Sequence, residues 1–231
     1  MAHVHAMSME RYQRIRALLA KRQPDLTLLL EEVHKPHNVS AVIRSADAVG
    51  IHRMHAVWEG DTEIRKGTSM GSQIWVNMDL HKSTELAIDH LKSQNMQVLV
   101  THLDENAVDF RSIDYTKPTA IVLGQEKCGA TDEAIKMADR SIVIPMVGMV
   151  QSLNVSVAAA TILYEAQRQR EQAGMYDQAL LDEAEAQYIL FKGGFPILYR
   201  ECVKRNLSFP IINDKGEVEA SDEWWQALQY S

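Results

Sequence analysis

The sequence predicts an α/β fold: a mostly parallel sheet with helices on both faces, extended by helices at the two chain ends. Three observations predict it. Short apolar runs of strand length recur along the chain, and most are followed by a segment whose apolar residues repeat at helical spacing. Glycine, proline and polar capping residues stand at the junctions where strands must stop and helices must start. Finally, 46% apolar and 24% charged residues in a chain of 231 are the balance of a core-bearing globular protein.

The elements follow in order. Ser8 is placed to cap a helix running to about Arg22, which Pro24 closes. Leu26–Glu31 reads as a buried strand. Asn38 is expected to cap the next helix, with Val39, Val42, Ile43, Ala46 and Val49 as its apolar stripe and Gly50 as its stop. Arg53–Trp58 is a strand, Gly60–Ser72 a polar loop, and Trp75–Asp79 another short strand. Ser83 caps a helix to about Asn95, and Gln97–His102 is a strand. Ala120–Leu123 is a strand ending at Gly124, with a helix at about Thr131–Ala138. Ser141–Ile144 is stopped by Pro145, and a long helix spans about Asn154 to Ala173. After Gly174 the chain reads as helical, without a further strand. These runs divide the chain into a basic N-terminal helix at 1–23, a central domain at 24–173 and a helical extension at 174–231.

Composition narrows the function classes. No apolar run has the length of a membrane span, and Met1–Met9 lacks a signal-peptide core, so a cytoplasmic protein without a membrane partner is expected. Cys128 and Cys202 are the two cysteines, and they form no CxxC pair, which argues against a disulfide framework or a zinc knuckle. The histidine pairs His34 and His37, and His52 and His55, have poor spacing for ligands, and no metal is expected. Net charge is −7, yet its distribution is uneven. Arg11, Arg14, Lys21 and Arg22 fall within an arc of about 100° on a helix turning about 100° per residue. The stretch 171–187 is acidic instead. A basic face of this kind fits RNA, and a solvated helix surface would read the same.

Ligands in open α/β sheets bind beyond the carboxyl ends of strands. Three such junctions carry suitable residues. At IVLGQEKCGATDE, Gly124 and Gly129 have phosphate-loop spacing and Thr131 stands at the hydroxyl position, but Ala130 stands where that loop needs lysine. No GxGxxG occurs either, so neither a triphosphate nor a dinucleotide site is indicated. What remains is a glycine turn able to bring backbone amides against a flat ligand. At IPMVGMVQSLNVS, Ser152, Asn154 and Ser156 lie at the mouth of a helix, where free amides and capping groups meet ligands. At HNVSAVIRSADAVG, Arg44 lies off its helix's apolar stripe, and a surface pair with Asp47 is the plain alternative to a catalytic role.

Together the three junctions resemble the three signature motifs of the SPOUT RNA methyltransferases, in their SpoU/TrmH branch. Asn38 through Arg44 resembles the first, Leu123-Gly124-Gln125-Glu126 with Gly129 the second, and Ile144-Pro145-Met146 with Ser152–Ala158 the third. The similarity extends over about residues 8–230. Lys21–Leu26, Val33–Val42 and Leu163–Met175 are similar to the members that methylate tRNA guanosine. The resemblance implies a domain with a trefoil knot and a homodimer; the helix that begins near Asn154 is the expected interface, since Ala158, Ala159 and Ala160 permit close helix approach and the bulkier Ile162 and Leu163 follow. It implies S-adenosylmethionine as methyl donor, S-adenosylhomocysteine as product, and the ribose 2′-hydroxyl of the guanosine at position eighteen in the tRNA D-loop as acceptor. The carry-over places Thr101, Leu123, Gly124, Gly129, Ile144, Met146, Ser152 and Leu153 around the cofactor. It gives Arg44 the central catalytic place, with Asn38, Ser152 and Asn154 orienting it or the ribose and Glu126 in support. A guanidinium holds its proton strongly, so Arg44 suits a phosphate clamp better than a general base. RNA contacts are expected from Arg11, Arg14, Lys21 and Arg22, and from Arg168, Lys204 and Arg205; DNA is not an expected partner. Another RNA such as rRNA, or a non-catalytic RNA-binding role on the same fold, are the alternatives.

Overall fold

A computed structural model of the chain describes residues 6–33, 35–58, 74–125 and 127–229. Its elements are α1 (Met9–Ala20), β1 (Leu26–Glu31), α2 (Pro36–Ala48), β2 (Arg53–Val57), β3 (Asn77–His81), α3 (Thr84–Ser93), β4 (Gln97–Thr101), β5 (Val108–Asp109), β6 (Thr119–Leu123), α4 (Asp132–Met137) and β7 (Arg140–Val143). Then follow α5 (Val155–Gln172), α6 (Glu183–Gly194), α7 (Pro196–Arg205), β8 (Ile211–Ile212), β9 (Val218–Glu219) and α8 (Asp222–Gln229). Residues 23–177 form one compact unit, and 1–22 with 178–231 form a second.

In the larger unit the strands make one parallel sheet in the order β3-β2-β1-β6-β4-β7-β5. Central position explains the sequence pattern. β1 and β6 are buried along their whole length, as their mainly apolar runs predict, with Thr27, Glu31 and Thr119 the polar residues carried inside. One face is covered by α2 and α5, through Val42, Ala46, Ala159 and Ile162 among others. The other is covered by α3 and α4, through Ala87, Ile88, Leu91 and Ala134. The fully buried Arg170 ties the far end of α5 to the strand starts, donating to Asp25 Oδ1 at 2.6 Å, Gln23 Oε1 at 3.0 Å and the Tyr115 carbonyl at 2.8 Å.

Three local departures from the sequence reading have physical causes. α2 begins at Pro36, because a proline in the first turn forfeits an N–H that has no helical partner anyway. Asn38 therefore sits inside the helix with its side chain buried, and does not cap it. β3 lies at the sheet edge, where half-exposed residues leave little apolar signal, and it runs two residues later than expected. β5 is a two-residue strand held to Ile142 and Val143, too short to leave a pattern.

The smaller unit is helical, with a hairpin that the sequence reading missed. α1 is capped by Ser8, whose hydroxyl accepts the Arg11 N–H. Arg16 grips Glu183 at the start of α6 with two bonds of 2.8 and 3.1 Å. Phe191 packs by its ring against Phe195, Phe209 and Trp224. β8 and β9 pair antiparallel through a turn in which Gly216 takes φ +76°. Two-residue strands carry no alternation, which is why no strand was legible after Gly174.

Candidate active site

The sheet order puts the carboxyl ends of β1, β6, β4 and β7 side by side. Leu30 lies opposite Leu123, Val100 opposite Val122, and Thr101 opposite Ile142. Glu31, Gly124, Thr101 and the residues after Val143 thus leave the sheet at one edge, where ligands of such sheets bind. Thr101 donates its hydroxyl to the Val122 carbonyl at 3.2 Å, so it links the β4 and β6 ends directly.

Beyond β6 the chain makes a closed turn. Gln125 and Gly129 exchange two backbone hydrogen bonds of 2.9 Å, and Gly129 takes φ +72°. The returning strand of this turn lies on Gly124 itself. A Cβ at Gly124 would sit 2.2 Å from the Ala130 nitrogen and 2.3 Å from the Gly129 carbonyl carbon, so only glycine fits. Thr131 then caps α4 through the Ala134 N–H, while its own N–H and hydroxyl are both held by Glu31. Glu31 was not singled out from the sequence; as the last residue of an apolar strand it reads as a strand end.

The third motif supplies the other wall. Ile144, Met146 and Leu153 are half-buried, and Ser152 is exposed. Asn154 caps α5, its Oδ1 accepting the Ser156 N–H at 2.9 Å and hydroxyl at 2.7 Å. Its Nδ2 donates to Asn38 Oδ1 at 3.3 Å, which joins the first motif to the third across the packed α2–α5 pair. Arg44 is exposed on α2, and among the described residues it forms no ion pair, so the surface pairing with Asp47 is not made. The structure therefore unites Asn38 with Asn154 and leaves Arg44 and Ser152 open to solvent. Glu126 and the Gly60–Ser72 loop lie outside the described residues.

The basic residues divide more sharply. Arg14, Lys21 and Lys204 are exposed, and Arg11 is exposed while donating to the Gly193 carbonyl at 2.9 Å. Arg22 is only 1% exposed. The helix stops at Ala20, so the 100° projection no longer applies at Arg22, whose N–H turns back to the Leu19 carbonyl. Arg168 is exposed but bound to Glu165 at 2.7 and 2.9 Å. Arg205 is half-buried against Glu201 and the Ala227 carbonyl.

Away from this edge, His55, His81 and His90 form a triangle with ring centroids 5.2–5.5 Å apart, and His55 Nδ1 lies 3.0 Å from His81 Nε2. Burial drives the His55 imidazole down to about 4, against the pull of Asp79, with His81 and His90 pushing the same way as burial. Burial also lowers His81. Among the described residues no group of three His, Cys, Asp or Glu is arranged to hold a metal ion.

Comparison with known proteins gives consistent matches. Residues 25–164 match the SpoU rRNA methylase family, and residues 168–221 match the C-terminal SpoU rRNA methylase family. The chain is 55% identical over 226 residues to the tRNA (guanosine(18)-2′-O)-methyltransferase of Escherichia coli strain K12, covering 96% of this chain and 99% of that one. Its structure resembles the TrmH/SpoU tRNA modifying enzyme of A. aeolicus, with a TM-score of 0.74 and 43% identity over 80% of this chain and 94% of that one. It also resembles the SpoU methyltransferase AviRb of Streptomyces viridochromogenes in complex with the cofactor AdoMet, with a TM-score of 0.58 and 28% identity over 66% of this chain and 64% of that one.

Proposed function

Because the chain belongs to the SpoU rRNA methylase family, we propose that it transfers the methyl group of S-adenosylmethionine to the ribose 2′-hydroxyl of the guanosine at position eighteen in the tRNA D-loop. The observation that carries this reading is the near full-length match to an enzyme of that specificity. All three strand-end constellations fall within the matched residues 25–164.

The residues at the sheet edge suit the cofactor. Nothing lies within 4 Å of a Cβ built on Gly129, so the turn offers its backbone to a ligand, and Ile144, Met146 and Leu153 provide half-buried apolar walls. Thr101, Leu123, Gly124 and Ser152 complete the set that would hold it, beside the chain crossing of the trefoil knot that the family implies. When bound, S-adenosylmethionine supplies an electrophilic methyl group on a sulfonium. The chain's own work is to position the 2′-hydroxyl and accept its proton. Arg44, exposed and without an ion pair among the described residues, is free to grip an RNA phosphate with its guanidinium fork. Asn38 and Asn154, already bonded to one another across the first and third motifs, orient the ribose. Glu126 belongs to the same turn in sequence and is assigned a supporting role.

The exposed Arg11, Arg14, Lys21 and Lys204 support tRNA contacts outside the reaction centre. Ala159, Ile162 and Leu163 are buried in the core, so a homodimer is assigned to the solvent side of α5 instead, where Val157 and Tyr164 lie two turns apart on one face and are both exposed, with Val147, Met149 and Val150 exposed just before the helix. A tRNA substrate puts the enzyme in the cytoplasm; among the described residues no helix is long and apolar enough to cross a membrane.

The test is incubation with labelled methyl donor and separate pools of tRNA and rRNA, followed by nuclease digestion and mapping. Label on the 2′-oxygen of guanosine eighteen of tRNA is expected. Label in rRNA alone would replace the substrate, and no transfer to either would return the chain to an RNA-binding role.

A further inference from the structure

The end of β1 carries a carboxylate in an unusual position. Glu31 is 0% exposed, deep in the sheet, and burying a carboxylate is costly unless hydrogen bonds replace its water shell. Here they do. Its Oε1 accepts the Thr84 hydroxyl at 2.7 Å and the Thr131 hydroxyl at 2.6 Å, and its Oε2 accepts the Thr131 N–H at 2.9 Å. Two of the three donors belong to one residue, the first after the turn that lies on Gly124.

That turn needs an anchor at its exit. Its entrance is fixed by β6, and its middle by the reciprocal Gln125–Gly129 bonds. Its exit leads into α4, a helix of six residues in which Ala134 alone is buried. So short a helix is a weak support by itself. The grip of Glu31 on both the N–H and the hydroxyl of Thr131 fixes the exit to β1, the strand adjacent to β6.

We propose that Glu31 is a positioning residue of the methyl-transfer site: through Thr131 it sets the height of the 124–130 backbone above the strand ends, and so the affinity for the methyl donor. The proposal rests on the assignment of that turn to the cofactor. Glu31 does not itself touch the reacting atoms. Chemistry explains the residue type, since one side chain must accept from a backbone N–H and two hydroxyls at once, and a carboxylate has acceptor sites for all three.

The test compares Glu31→Met, of similar length without an acceptor, with Glu31→Gln. The glutamine carbonyl can still accept the Thr131 N–H while both hydroxyls turn to accept from the amide. Thr84→Val is the control, because it removes a bond to the same carboxylate without touching the turn. Affinity for S-adenosylhomocysteine is read by calorimetry, KM for tRNA by kinetics, and the exchange of amides 125–131 by mass spectrometry.

Glu31→Met is expected to weaken S-adenosylhomocysteine binding at least ten-fold and speed exchange in 125–131, with KM for tRNA within two-fold. Glu31→Gln should lose only a few-fold, and Thr84→Val less than two-fold. Should Glu31→Met fail to fold, Thr131→Val, which deletes the 2.6 Å bond, takes its place with an expected loss of about five-fold and near-complete recovery in Thr131→Ser. Wild-type affinity in Glu31→Met, or an equal loss in Thr84→Val, overturns the proposal. If S-adenosylhomocysteine binds the wild-type protein without protecting amides 125–131, the assignment of the turn to the cofactor falls instead, whatever the variants do.

Discussion

Replacing Gly124 by alanine adds one methyl group where the structure has no room for it. The new Cβ would lie 2.2 Å from the Ala130 nitrogen, 2.3 Å from the Gly129 carbonyl carbon and 2.5 Å from the Ala130 Cα. Carbon contacts normally begin near about 3.5 Å, so the returning backbone must retreat by about 1 Å. All three neighbours are main chain, so no side chain can swing aside. The retreat strains the paired 2.9 Å bonds between Gln125 and Gly129 and draws the Thr131 N–H away from its 2.9 Å bond with Glu31. Overpacking of this kind costs about 1–3 kcal/mol, or roughly 2–10 °C in Tm for a unit of this size. The functional loss should be larger, because a displacement of about 1 Å in a positioning element can cost about a hundred-fold. Gly129→Ala is the matched comparison. Its Cβ meets nothing within 4 Å, and the change carries only the strain of φ +72°, roughly 1 kcal/mol. Calorimetry with S-adenosylhomocysteine, beside a thermal melt and a tRNA-binding titration, reads all three quantities. Gly124→Ala should lose about a hundred-fold in cofactor affinity and keep tRNA binding, whereas Gly129→Ala, whose added methyl enters the space the turn offers to the ligand, should weaken the cofactor without the packing strain of Gly124→Ala and also keep tRNA binding. Gly124→Ala with cofactor affinity within three-fold of wild type would refute the argument that this close approach shapes the site.

Further outcomes follow from the same geometry. Arg44→Ala should change stability by less than about 0.5 kcal/mol, since Arg44 is exposed and makes no ion pair among the described residues, yet abolish methyl transfer in single-turnover assays. Arg44→Lys should remain nearly as inactive at every pH if Arg44 is a phosphate clamp; recovery with rising pH would make it a base. His55 titrates at about 4 when folded and near its ordinary ~6.5 when unfolded, so the unfolded chain binds the extra proton between those values. Stability should be full above about pH 6.5 and fall by about 3 kcal/mol toward pH 4, with the lowered His81 adding in the same direction. Urea titrations should find that slope flattened in His55→Gln, and an unchanged slope would remove the histidine cluster as its source. Replacing Arg11, Arg14 and Lys21 by alanine should lower the slope of log K for tRNA against log salt by roughly 0.7–0.9 for each phosphate that is no longer neutralised. Arg22→Ala should instead lower the melting temperature, because Arg22 is buried; the opposite pattern would restore it to the RNA-binding face.

Much of this protein was legible in order along the chain. The mainly apolar runs at 26–31 and 120–123 announced central parallel strands, because a strand buried on both faces is apolar at most positions; the buried Thr27 and Glu31 are the exceptions in the first run. Ser8, Ser83 and Asn154 were legible as caps, since a first-turn N–H seeks the nearest side-chain oxygen within three residues. The three strand-end segments were legible as turns and helix starts because local residue types fix those, and the methyl-transfer family followed from their joint resemblance to its signature motifs.

Other features depended on partners distant in sequence. Asn38 became a buried partner of Asn154 because Pro36 took the helix start and α5 packed against α2. The role of Glu31 needed Thr131, a hundred residues on, to arrive at the next strand end. The triangle of His55, His81 and His90 needed β2, β3 and α3 to assemble. Arg22 looked like a fourth basic residue on a helix face until the chain turned inward after Ala20. Sequence alone determined the backbone preferences and the apolar period, which arise from interactions among near neighbours. Tertiary structure decided which polar side chains were buried and what they met, because those pairings exist only once the sheet order has brought separate strand ends together.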